Sequence, residues 1–97
     1  YFFGSGDNRL VEAYGSKKRL SRLIVGFPKS GQELDSEGRR VIQLCAALLS
    51  PKKLELATEW LKMAYQQKEK LSKNFVGCYV KAWPNKSGTS FLIDMSF

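Results

Sequence analysis

Phe75-Val76-Gly77-Cys78-Tyr79-Val80-Lys81-Ala82-Trp83-Pro84-Asn85-Lys86-Ser87-Gly88-Thr89-Ser90-Phe91-Leu92-Ile93-Asp94-Met95-Ser96-Phe97 is the stretch whose reading decides the fold class. Residues 75–83 and 89–97 are rich in β-branched and aromatic side chains, and the segment 84–88 between them is built from turn formers. This spacing predicts a β-hairpin. In its first strand Val76, Cys78, Val80 and Ala82 form a small-residue face suited to packing under a helix, and Phe75, Tyr79, Lys81 and Trp83 project from the other. In its second strand Phe91, Ile93, Met95 and Phe97 alternate with Ser90, Leu92, Asp94 and Ser96. Asp94, the lone acid there, is expected to pair with Lys81 across the hairpin.

Upstream of the hairpin the period changes from two to about 3.6. Ser36 is placed to cap a helix with Glu37 in its first turn, and Val41, Leu44, Cys45, Leu48 and Leu49 mark its core face. Ser50-Pro51 restarts the chain, and the pattern predicts a second helix running to about Lys73. Leu54, Leu56, Ala57, Trp60, Leu61, Met63, Ala64, Tyr65 and Leu71 sweep an apolar arc of roughly 200°, where a surface helix needs only a little over ~100°. That surplus predicts a second cover, from the first helix or from another copy of the chain. Nearer the start, Leu23, Val25 and Phe27 alternate with Arg22, Ile24 and Gly26, which predicts a strand, with helix as the second option for 16–24. Asp7 is placed to cap a short helical turn through Leu10, Val11 and Tyr14, ended by Gly15, and 28–35 is expected as a polar loop. The order β-α-α-β-β makes residues 1–97 a single α+β domain, two helices on one face of an antiparallel sheet, with 1–6 as a flexible N-terminal segment.

Composition narrows the chemistry. With no His and two Cys in 97 residues, the chain lacks the means for a structural zinc site and for His-dependent nucleophilic catalysis. No apolar run approaches the ~20 residues of a membrane-spanning helix. Gly26-Phe27-Pro28-Lys29-Ser30-Gly31-Gln32 follows a strand as a phosphate-binding loop does, but Gln32 and Glu33 stand where Lys and Ser or Thr would be required. Glu55 and Glu59 lie one helical turn apart, on what reads as a solvated face. We therefore expect a non-enzymatic protein without metal or cofactor.

The charge balance favours a binding role. Sixteen Lys and Arg against nine Asp and Glu give a net charge of +7 and a pI near 9.6, the electrostatic footprint of a polyanion binder. Lys17, Lys18, Arg19 and Arg22 form the densest cluster, although the excess is distributed along the chain. Phe75, Tyr79 and Trp83 with Lys81 among them make a stacking platform of the kind that single-strand nucleic-acid binders use. The leading expectation is a small basic protein that binds single-stranded nucleic acid with low sequence preference, as a monomer or a homodimer. Phe75, Tyr79 and Trp83 would stack bases, and Lys17, Lys18, Arg19, Arg22 and Lys81 would meet phosphates. A bland alternative is that the N-terminal aromatics Tyr1, Phe2 and Phe3 cover this face.

The other functional class is a processed secreted toxin, effector or ligand whose basic, aromatic surface meets a protein or an anionic cell surface. A sequence that opens at Tyr1 without Met leans toward a processed product. Cys45 and Cys78 leave the compartment open: a disulfide between them would favour an oxidising one, and two reduced thiols acting as small hydrophobes fit the nucleic-acid reading equally well. Asn85-Lys86-Ser87 is a glycosylation sequon with meaning only outside the cytosol.

Overall fold

The computed structural model describes residues 2–6, 9–16, 18–29, 33–67, 69–75, 77–85 and 87–97, with 2–6 and 9 described by their main chain. Strands β1 (Phe2–Gly6), β2 (Arg9–Ser16) and β3 (Arg19–Pro28) precede α1 (Ser36–Leu49), a short 3₁₀ turn (Pro51–Lys53) and α2 (Leu54–Gln66). Strands β4 (Leu71–Phe75), β5 (Cys78–Pro84) and β6 (Ser90–Ser96) complete the chain. All six strands join one antiparallel sheet in the order β1-β2-β3-β6-β5-β4. The α+β class, the helical layer on one sheet face and the C-terminal hairpin agree with the sequence. The expected β-α-α-β-β order is present as β3-α1-α2-β5-β6, enlarged by β1, β2 and β4.

Four local expectations are corrected. Residues 9–16 are a strand, where a helical turn from Asp7 was expected. Pairing with β3 from Leu10↔Gly26 to Ser16↔Arg19 supplies long-range hydrogen bonds that outweigh the weak local preference of Glu12 and Ala13. Helix α2 stops at Gln66, seven residues short of Lys73, because Leu71 and Phe75 gain more from packing as a strand beside β5. Leu71 lies seven residues after Ala64, so it satisfies the helical period and the strand equally well. The first strand of the hairpin is also broken: a turn at Gly77 separates β4 from β5, and Gly77 adopts φ +83°, a conformation that only glycine enters freely. At α1 the cap is Asp35, whose Oδ1 accepts the Gly38 N–H at 2.7 Å, and Ser36 is the first helical residue.

The core lies between the helices and one sheet face. Phe27, Tyr65 and Phe91 meet in a triangle: Phe27 stacks on Tyr65 at 5.9 Å, and Phe91 stands edge-on to both. Ala46, Ala57 and Ala64 are fully buried and let the helices approach closely. Lys29 crosses the edge of this cluster, donating to the Tyr65 carbonyl in the last turn of α2 with its ammonium 4.7 Å from the Tyr65 ring centroid. Burial lowers the Lys29 pKa. The wide apolar arc of α2 is covered only in part. Ala57, Leu61, Ala64 and Tyr65 are buried, but Leu54, Leu56 and Met63 remain exposed, as do Leu44 and Leu48 of α1. No described helix is long and apolar enough to cross a membrane.

Candidate nucleic-acid interface

With both helices on one face, the other face of the sheet is uncovered by any described element. Register lines its side chains into rows, because residues directly opposite in an antiparallel ladder share a face. One row runs Asn74, Tyr79, Ser96, Arg22, Tyr14; the next runs Ser72, Lys81, Asp94, Ile24, Glu12. The third holds Trp83, Leu92, Gly26 and Leu10. A Cβ at Gly26 would stand 2.8 Å from the Leu92 Cδ2 and 3.3 Å from the Leu10 Cβ, so the end of the Leu92 side chain would have to move aside.

The β2-β3-β6 half of this face is electrostatically closed. Arg22 donates through Nε and Nη2 to the two carboxylate oxygens of Asp94, at 2.9 and 2.7 Å. The Asp94 side chain is 8% exposed and that of Arg22 47%, so the guanidinium reaches down to neutralise a buried acid. The expected Asp94–Lys81 pair is therefore corrected: the two are opposite in register, yet the fork of Arg22 occupies both oxygens. The hydrogen bonds to Asp94 raise the Arg22 pKa. Tyr14 donates to Glu12 at 2.8 Å, which raises the phenol pKa, and its ring lies 5.7 Å from the Arg22 guanidinium carbon. Arg22 thus has its Nε and Nη2 committed to Asp94.

The β5-β4 half is different. Tyr79 is 42% exposed with the Lys81 ammonium 5.6 Å from its ring centroid, and Lys70 lies 4.6 Å over the half-buried Trp83 ring. Among the described residues neither Lys81 nor Lys70 makes an ion pair. Four residues of strand place Tyr79 and Trp83 about 13 Å apart, so any two bases they stack are not successive neighbours. Strand β1 lies at the far edge, four strands from β5, so the main chain of residues 2–6 does not cover this platform.

Phe75 leaves the platform. It is 6% exposed, faces the helices opposite Cys78, and meets Trp60 edge-on at 6.1 Å. The turn at Gly77 moves it to another strand, and register then sets its face. Lys18 and Arg19 are exposed at the β2-β3 turn, and Lys17 lies outside the described residues. Lys70 is the member that sequence reasoning missed, because the pattern placed it inside α2. Cys45 on α1 and Cys78 on β5 are free buried thiols, so the disulfide considered between them is not formed. Burial pushes the Cys45 thiol up to about 12 and raises that of Cys78. Asn85 of the sequon is engaged in the hairpin turn, its Oδ1 accepting from the Thr89 and Ser90 N–H groups at 2.8 and 3.1 Å. Among the described residues no cluster of three Cys, Asp or Glu is placed to hold a metal ion. Comparison with protein-family models, with curated proteins and with solved structures found no match.

Proposed function

We propose that this protein binds single-stranded nucleic acid with low sequence preference on the β5-β4 half of the uncovered sheet face. The observation that carries the reading is Tyr79 and Trp83 on one open face, each ring with a lysine ammonium beside it, in a chain of net charge +7. A lysine over an exposed ring is worth about 0.5–1 kcal/mol and a stacked base about 1–3, so a base displaces the ammonium and leaves it beside the phosphate. A Cys45–Cys78 disulfide would have favoured the secreted-protein alternative, and both cysteines are free thiols.

The test is anisotropy of labelled single-stranded DNA and RNA 20-mers at two salt concentrations, with Trp emission followed in parallel. Tyr79→Ala and Trp83→Ala are each expected to weaken binding by about 5- to 150-fold, the range of one lost stack. Lys70→Gln and Lys81→Gln should each flatten the salt dependence by about 0.7 in log–log slope. Trp60 is packed on Phe75, so quenching should vanish in Trp83→Ala. Absence of binding at low salt, or binding untouched by both aromatic substitutions, refutes the proposal.

A further inference from the structure

A second surface lies around the corner of β4, on the helix side. A groove of about 570 Å³ is floored by Leu49, Leu56 and Phe75 and rimmed by Lys52, Lys53 and Lys73, with no acid among its lining residues. Strand β4 terminates the sheet, so its outer ladder groups face away from β5 beside this groove. Phe75 and Cys78, partners only three residues apart, close the β4-β5 ladder as a hydrogen-bonded pair, and alternation then directs the N–H and C=O groups of Ser72 and Asn74 outward.

We propose that this groove and the β4 edge together dock an extended acidic peptide as a seventh strand, one apolar side chain seated on Leu49, Leu56 and Phe75. An added strand runs about 4.8 Å from β4, and every second side chain falls on the helix side at a spacing of about 6.8 Å. The recognised segment therefore has an apolar residue flanked at two positions on either side by Asp or Glu, which meet Lys73 and the Lys52–Lys53 pair. Register puts Lys73 on the helix side of the edge strand, opposite Val80. Two copies pairing through β4 would crowd such lysines, whereas an acidic strand neutralises them, so the edge selects against self-pairing. A nucleic-acid backbone has no peptide ladder to complement Ser72 and Asn74. The site is separate from Tyr79 and Trp83, which project from the opposite face.

The experiment titrates the full chain into fluorescein-labelled Thr-Glu-Thr-Leu-Thr-Glu-Thr, with a Glu-to-Lys version and a version carrying Pro at the residue after Leu as controls. We expect a saturable anisotropy rise with the acidic peptide alone, slowed amide exchange at Ser72 and Asn74, and about tenfold weaker binding for Lys52→Glu/Lys53→Glu. Tyr79→Ala should leave peptide binding unchanged, which separates this site from the nucleic-acid platform. Failure of the acidic peptide to bind, or equal binding of the basic or proline version, overturns the proposal. So does weaker oligonucleotide binding by Lys52→Glu/Lys53→Glu with peptide binding intact, which would assign the groove to nucleic acid. A β4-mediated dimer in sedimentation would assign the edge to a second copy.

Discussion

Replacing Phe75 and Tyr79 by alanine, each in turn, asks the structure a question with opposite answers for two aromatics four residues apart. Phe75 is 6% exposed, packed edge-on against Trp60, and Tyr79 is 42% exposed on the open face. Truncating a buried Phe costs about 3–5 kcal/mol. Phe75 borders an open groove that water can fill, so the lower end, about 3 kcal/mol, applies. That is a large part of the ~5–15 kcal/mol that holds a domain together. At about 4–8 °C per kcal/mol for a domain of this size, Phe75→Ala should melt about 12–24 °C lower. Tyr79→Ala should stay within about 0.5 kcal/mol, at most about 4 °C. Thermal melts by far-ultraviolet circular dichroism, with urea unfolding followed by Trp emission, give both numbers. Phe75→Ala should also alter the emission of Trp60 in the folded state. If the two substitutions shift the melt equally, or Tyr79→Ala shifts it more, β4 is paired one residue out of step and the register argument fails.

Two further predictions follow from the buried thiols and from Gly26. Folded Cys45 holds its proton to about 12, against an ordinary 9.0, so the folded state binds more protons and its advantage is lost as pH rises through that window. Urea midpoints of the wild type should fall faster between pH 8 and 10 than those of Cys45→Ala; parallel curves would contradict the burial, and Ellman's reagent should find two thiols only after unfolding. Gly26→Ala should cost at most about 1 kcal/mol, because the added methyl displaces only the flexible end of the half-buried Leu92 side chain, and Leu92→Ala should recover part of that loss in a double-mutant cycle; full additivity would show that the two side chains do not meet.

What the sequence determined by itself are the features governed by neighbours along the chain. The period of Val41, Cys45 and Leu49 is enough to make α1, Ser50-Pro51 is enough to interrupt the helices, and Pro84 to Gly88 is enough to turn the hairpin. Alternation in 78–83 assigned Tyr79, Lys81 and Trp83 to one face, and the ladder agrees. Tertiary structure decided whatever depends on a partner distant in sequence. Residues 9–16 and 71–75 became strands because β3 and β5 offered them ladders, and Phe75 went to the core because a turn at Gly77 reset its register. Arg22 went to Asp94, seventy-two residues away, because two strands that meet only in the folded sheet bring a guanidinium over a buried carboxylate. Lys70 reached Trp83 only once α2 had ended before it. Local spacing sets a side chain's direction along its own element, but the partners that give this direction an energy are chosen by the three-dimensional packing.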